Sequence, residues 1–90
     1  MDKIEEDIII VNPLGLHARP AATLVKTALT FQSDIHASVN GHLVNAKSIM
    51  GLLTLAAGQG AQVTVICQGE DAQEAMEAIR SLIESGFGEM

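Results

Sequence analysis

Residues 8–29 read IIIVNPLGLHARPAATLVKTAL and change their hydrophobic period part-way along. The β-branched run at residues 8–11 predicts a first, largely buried strand, which an Asn-Pro pair and Gly15 end in a loop. Beyond the loop, apolar residues recur at helical spacing and Pro20 suits a first helical turn, so a helix is predicted over residues 18–29. The fold therefore starts with a strand that passes through a glycine-containing loop into a helix.

Three further strands are indicated along the chain. Apolar and polar residues alternate over residues 35–39, and Asn40-Gly41 is a preferred pair for a tight hairpin turn into a third strand at residues 42–45. The β-branched run within residues 62–68 predicts a fourth strand, closed by Gly69.

Two more helices fit the remaining segments. Ser48 suits the N-cap of a short helix within residues 49–55, which glycines at 58 and 60 terminate. Asp71 and Glu74 resemble a capping box at the start of the last helix, which stops near Gly86. That helix places its apolar residues on one face: Ala72, Ala75, Met76, Ile79, Leu82 and Ile83.

The predicted order is βαββαβα, without repeats or linkers, and residues 1–90 are predicted to form a single domain. Each apolar helix face needs a sheet to cover, which favours a two-layer α+β fold with a four-stranded antiparallel sheet and three helices on one face. The pattern alone leaves the strand order open, so a ferredoxin-like arrangement remains a competitor.

Composition excludes several function classes. A net charge of −6 argues against nucleic-acid binding, which usually depends on clustered Lys and Arg. The single cysteine, Cys67, allows no internal disulfide, and no Cys/His cluster suggests a metal. No run approaches the ~18 apolar residues of a membrane span, and the acidic start does not resemble a signal peptide, so a cytoplasmic protein without membrane insertion is expected.

The charge is unevenly distributed. Residues 8–69 hold three cations (Arg19, Lys26 and Lys47) and one acid (Asp34), whereas the two ends carry ten acids against two cations. A site in the middle of the chain is therefore expected to lie in a locally positive field, although uneven surface charge alone would look the same.

His17 lies where the glycine-containing loop meets the first helix. The first N–H groups of a helix have no intrahelical partner and stabilise an anion, such as a phosphoryl group on this histidine. Arg19 offers a fork for phosphate oxygens, and Lys26 is expected two turns further on the same face. These positive charges favour the neutral, nucleophilic imidazole. The plain alternative is a histidine at a helix start with no chemistry.

The other candidates are weaker. His36 and His42 flank the hairpin turn without a neighbouring arginine and are interpreted as surface residues. No Ser/His/Asp set, outstanding carboxylate pair or phosphate-binding glycine loop supports a self-contained hydrolase or kinase. A chain with one nucleophile and no substrate-pocket chemistry suggests a relay.

Two blocks carry a resemblance that covers essentially the whole chain. GLHARPA at residues 15–21 and NAKSIMGL at residues 45–52 resemble the histidine-containing phosphocarrier (HPr) family of the bacterial phosphotransferase system. The resemblance implies the open-faced sandwich topology. It also implies a carrier without cofactors or independent turnover that takes a phosphoryl group from enzyme I, itself charged by phosphoenolpyruvate, and passes it to an enzyme IIA.

The same resemblance assigns roles by position. His17 would be phosphorylated on Nδ1, Arg19 would stabilise the phosphoryl group, and Pro20 would shape the start of the helix. Ser48 lies in a block that resembles HPr proteins regulated by a serine kinase. The resemblance therefore implies an HPr kinase/phosphorylase and a transcriptional regulator as candidate partners. Ile49, Met50 and Leu53 would form an apolar docking patch beside it.

Three questions stay open at this stage. Leu14-Gly15 and the ending SGFGE at residues 85–89 resemble the nitrogen-related branch of the family, whereas the KSIMG block resembles HPr proteins that a serine kinase regulates. Sugar uptake and nitrogen-related regulation are therefore not separated. A regulatory interaction module that passes no phosphate is a second hypothesis. A small-anion binding domain is a third.

Overall fold

The computed structural model describes residues 2–89 and has the predicted order of elements. The strands are β1 (Lys3–Ile9), β2 (Asp34–Val39), β3 (His42–Asn45) and β4 (Gln62–Gln68). The helices are α1 (Ala18–Ala28), α2 (Ile49–Leu53) and α3 (Ala72–Glu84), followed by a 3₁₀ turn at Gly86–Gly88. The two-layer α+β prediction is confirmed.

The four strands form one antiparallel sheet in the order β1-β4-β2-β3. β4 lies between β1 and β2, with Ile8 opposite Val63 and Ala37 opposite Val65. β3 pairs only with β2, through the hairpin turn at Asn40 and Gly41, which both have positive φ as predicted. The order differs from sequence order because the two helical crossovers carry the chain across the sheet.

The core lies between the helices and one face of the sheet. Every second strand residue points into it, including Ile35, Val65 and Cys67. The apolar faces of α1 and α3 cover that side, and Leu52 of α2 is fully buried with them. The predicted apolar face of α3 is confirmed, with Leu82 only half-buried. No helix within residues 2–89 is long and apolar enough to cross a membrane.

The prediction for the first strand was wrong in its bounds and burial. The strand starts at Lys3, five residues before the predicted Ile8, and Ile9 is 46% exposed. Acidic residues such as Glu5 and Asp7 occupy the open face, while Ile4 and Ile8 face the helices. An edge strand with one solvent-exposed face alternates polar and apolar residues. The continuous β-branched run at residues 8–11 therefore coincides only with the end of this strand.

The capping box predicted at Asp71 was also wrong. The Asp71 carboxylate makes no bond to its own helix. It accepts hydrogen bonds from the backbone N–H groups of Gln32 (2.8 Å) and Ser33 (2.9 Å) and from the Ser33 hydroxyl. These hydrogen bonds therefore join the α1–β2 connection to the start of α3.

Candidate functional site

The loop between β1 and α1 is held to the segment that precedes β4. Ile10 exchanges backbone hydrogen bonds with Gly60 and Ala61, and the Leu16 N–H donates to the Ala57 carbonyl at 2.8 Å. Gly15 has a φ of +68°, and a Cβ there would collide with the Ala57 carbonyl oxygen. The loop can approach that backbone only because position 15 is glycine.

His17 is the N-cap residue of α1, as predicted, but its side chain does not cap the helix. Its backbone is extended, its carbonyl accepts the first helical bond from Ala21 at 3.0 Å, and its ring makes no cap hydrogen bond. The imidazole instead turns away and places Nε2 3.0 Å from Oε2 of Glu89. The ring is 36% exposed, so one edge faces solvent.

Glu89 is a site residue that sequence reasoning missed. It follows a turn in which Gly86, Phe87 and Gly88 all have positive φ, while Phe87 is buried. A buried aromatic residue between two glycines anchors this turn and brings Glu89 back to the β1–α1 loop. The signal for it was the Gly-Phe-Gly sequence directly after an amphipathic helix.

Asn12 is the second residue that was missed. It is fully buried, and Nδ2 donates to the Gly15 carbonyl and to Glu89 Oε1, both at 2.8 Å. Oδ1 has no donor among residues 2–89. The reversed amide would place oxygen against two acceptors, so the two donated bonds fix the orientation of the side chain.

The Glu89 carboxylate is ionised near neutral pH. Burial raises the pKa of Glu89, but the hydrogen bonds from Asn12 and His17, together with the charges of His17 and Arg19, bring it below its usual range. The expected positive field around His17 is therefore partly offset by an acid from the end of the chain.

Arg19 and His17 line the same open depression, as predicted for a phosphate-binding pair. Its other lining residues are Pro13, Leu14, Ala18, Phe87, Gly88 and Glu89. Lys26, which was expected to share the face of Arg19, is exposed on α1 and does not line this depression. Arg19 is thus the cation that α1 contributes to the depression.

The first turn of α1 leaves backbone donors free. The N–H groups of Ala18 and Arg19 have no acceptor among residues 2–89. Pro20, the third residue of the helix, is buried and has no N–H to satisfy, so its position in the first turn is confirmed. The helix start can therefore donate to an oxyanion beside His17.

Ser48 behaves as the predicted cap of α2. Its Oγ accepts a hydrogen bond from the Gly51 N–H at 3.0 Å. Beside it, Ile49 is 41% and Met50 72% exposed, whereas Leu53 is half-buried against the core. Leu14 at 74% exposure is a further large apolar side chain, and it lies beside His17.

The surroundings of the other two histidines and of the cysteine differ from those of His17. His42 Nε2 lies 3.0 Å from the Thr54 hydroxyl on the surface, and His36 is half-buried in β2. Burial, followed by the charges of Glu6 and Asp71, raises the pKa of Cys67 to about 11. No three His, Cys, Asp or Glu side chains in residues 2–89 are placed to hold a metal ion.

Comparison with known proteins identifies the family. Residues 4–85 match the family model described as the PTS HPr component phosphorylation site. The chain belongs to the HPr family. It is 50% identical over 86 residues to the phosphocarrier protein HPr of Cupriavidus necator, covering 96% of this chain and 97% of that protein. It is therefore a phosphocarrier of the phosphotransferase system and not an enzyme.

Two further similarities extend this result. The crystal structure of an HPr from Thermoanaerobacter tengcongensis superposes with a TM-score of 0.91 at 47% identity, covering 100% of this chain and 99% of that chain. The HPr-like protein Crh of Halalkalibacterium halodurans is 48% identical over 81 residues, covering 90% of this chain and 96% of that protein. The HPr fold and the predicted family are confirmed.

Proposed function

We propose that His17 Nδ1 accepts a phosphoryl group from enzyme I in the cytoplasm and passes it to an enzyme IIA. One coincidence carries this proposal: a solvent-facing imidazole, free backbone donors and Arg19 meet at the start of α1. Nε2 is engaged by Glu89, so Nδ1 is the ring nitrogen left for a donor to reach.

Arg19 and the first turn of α1 would then bind the transferred group. The free N–H groups and the guanidinium supply donors and positive charge to the phosphoryl oxygens. Because both flank an open depression, a partner can approach the same atom for loading and for unloading. This suits a carrier whose donor and acceptor are both proteins.

The decisive experiment uses the purified chain, enzyme I and labelled phosphoenolpyruvate. We expect the chain to become labelled, the label to be labile in acid and stable in base as a P–N bond requires, and an enzyme IIA to remove it. Chain incubated with phosphoenolpyruvate alone is the control. An acid-stable label, or no label, would refute the assignment.

A regulatory role at α2 is a second candidate function. Ser48 caps α2 beside the exposed Ile49 and Met50. Phosphorylation of Ser48 by an HPr kinase/phosphorylase would place a charge beside this patch and change docking of enzyme I or of a transcriptional regulator. Leu53, which packs against the core, would form the inner part of this patch.

If this second role were the whole function, His17 would be expendable. The two candidates therefore differ in one readout. A pure interaction module would bind its target equally well with and without the imidazole, whereas a carrier would lose all transfer.

A further inference from the structure

The contact between Glu89 and His17 restricts which ring nitrogen carries the proton. A carboxylate only accepts hydrogen bonds, so Nε2, at 3.0 Å from Oε2 and 3.3 Å from Oε1, must be the protonated nitrogen. In the neutral ring the lone pair then resides on Nδ1. Glu89 therefore selects the tautomer in which Nδ1 is nucleophilic.

Asn12 fixes the carboxylate that makes this selection. Its Nδ2 bonds Glu89 Oε1 and the Gly15 carbonyl, so it connects the chain end to the loop that carries His17. The side chain is fully buried and its orientation is set by two acceptors, which leaves it one arrangement. The buried Phe87 holds the backbone of the same turn.

We propose that Glu89, oriented by Asn12, is a positioning residue that keeps His17 in its Nε2–H tautomer and stabilises the charge that the ring acquires on phosphorylation. This inference rests on the proposed function of His17. It assigns a role in transfer to residues 12 and 89, which lie 77 positions apart. Glu89 contacts Nε2 of the imidazole, and Asn12 holds Glu89.

The transfer step balances with this arrangement. The Nδ1 lone pair forms the new N–P bond, the bond between phosphorus and the donor atom breaks, and its electron pair returns to that donor atom. His17 keeps its proton on Nε2 and becomes a phosphoimidazolium. Glu89 faces that positive ring and accepts the Nε2–H bond throughout, as a carboxylate does behind a catalytic histidine.

Two substitutions at Glu89 separate this role from simple packing. In Glu89→Gln, Asn12 still requires an acceptor, so the amide oxygen turns to Asn12 and the amide NH₂ turns to His17. That NH₂ donates to Nε2 and forces the proton to Nδ1, which removes the nucleophile. Glu89→Ala only releases the ring. The isosteric glutamine should therefore be the more damaging change.

The measurements are the ring ¹⁵N chemical shifts of His17 near neutral pH and the rate of phosphoryl transfer from enzyme I. We expect Nδ1 to be unprotonated in the native chain and protonated in Glu89→Gln. Transfer should fall about tenfold in Glu89→Ala, the lower end for a charged hydrogen bond that is partly wet, and about a hundredfold in Glu89→Gln. Glu84→Gln, an exposed position on α3, is the charge-matched control and should match the native chain.

The glutamine variant also tests Asn12. Adding Asn12→Ala frees the amide to turn its oxygen toward His17, so the double variant should regain Nε2–H and transfer faster than Glu89→Gln alone. Melting temperatures show that each variant is folded. Native-like ring shifts in Glu89→Gln, or faster transfer by glutamine than by alanine, would overturn the proposal. If the native chain itself accepts no phosphate, the proposed function fails, while the ring shifts still decide the tautomer.

Discussion

His17 and Ser48 occupy the same position relative to α1 and α2, yet only Ser48 caps its helix. The serine hydroxyl accepts a hydrogen bond from the Gly51 N–H. The histidine ring contacts Glu89 instead and makes no hydrogen bond to the N–H groups in the first turn of α1. Ser48 thus satisfies a backbone donor of its helix, whereas His17 leaves the first donors of α1 free to bind an anion. A residue at an N-cap that does not cap is thus available for chemistry.

The largest effect that can test this comparison is loss of the imidazole. His17→Ala should abolish phosphorylation by enzyme I while leaving the melting temperature nearly unchanged, because the ring makes no cap bond and is partly exposed. Labelling with phosphoenolpyruvate and thermal unfolding by circular dichroism measure the two effects. His42→Ala, an exposed histidine on β3, is the control and should be labelled normally. A labelled His17→Ala chain would contradict the comparison.

The next effect concerns the charge at the open helix start. Arg19→Glu should lower the transfer rate at least about tenfold, since it replaces the proposed phosphate-binding cation by a repelling acid. Lys3→Glu makes the same change in net charge at the opposite end of β1 and should leave the rate within about twofold. Rates at low and moderate salt distinguish local binding from net charge. Equal losses in both variants would show that net charge governs transfer.

His17 and Arg19 could be predicted from the sequence because the pattern around them is local. A glycine-containing loop, a histidine, an arginine and a proline within a few positions define a helix start whichever way the sheet is ordered. The same holds for β3 and β4, whose bounds follow from a tight turn and from a β-branched run. Short-range pattern therefore predicted most elements and placed His17 and Arg19, the proposed reacting residues, at the start of a helix.

The remaining features depend on contacts between distant parts of the chain. Glu89 lies 72 positions after His17, and no local pattern predicts that pair. Asp71 looked like a cap because its neighbours suit a helix, but its carboxylate is taken by the Gln32 and Ser33 donors. The strand order β1-β4-β2-β3 likewise joins strands that are distant in sequence, which no single segment predicts.

A smaller effect is expected at the capped helix. Ser48→Ala removes the Gly51 bond and should cost about 1 kcal/mol, or a melting temperature about 4–8 °C lower in a domain of this size. Ser48→Asp retains an acceptor oxygen and should keep the native melting temperature. Its charge beside Ile49 and Met50 should instead raise the Michaelis constant for enzyme I severalfold. An unchanged constant in Ser48→Asp would leave Ser48 as a cap only.

The smallest effect is a pH dependence at Asp71, the N-cap residue of α3. The Ser33 hydroxyl, then the Gln32 and Ser33 N–H groups, lower the pKa of Asp71. A carboxyl with a depressed folded pKa stabilises the fold above its ordinary pKa and stops doing so as the pH falls through the lowered value. Asp71→Asn should therefore be less stable than the native chain at neutral pH, with a difference in stability that closes as the pH falls from neutral through the acid range.

Urea unfolding across that pH range checks this prediction. Glu74→Gln, an exposed acid in the first turn of the same helix, serves as the control and should track the native chain. A gap between native and Asp71→Asn that stays constant with pH would show that the Asp71 bonds do not depend on ionisation.

Leu14 and Gly15 are neighbours with opposite freedom to vary during evolution. A side chain at position 15 would strike the Ala57 carbonyl, whereas Leu14 is 74% exposed and lines the depression beside His17. Under the proposed function, a protein that reaches the imidazole would contact Leu14, so a substitution there would change recognition without moving His17. Position 15 does not tolerate such a substitution, so this loop could change its contacts with a partner at Leu14 but not at Gly15.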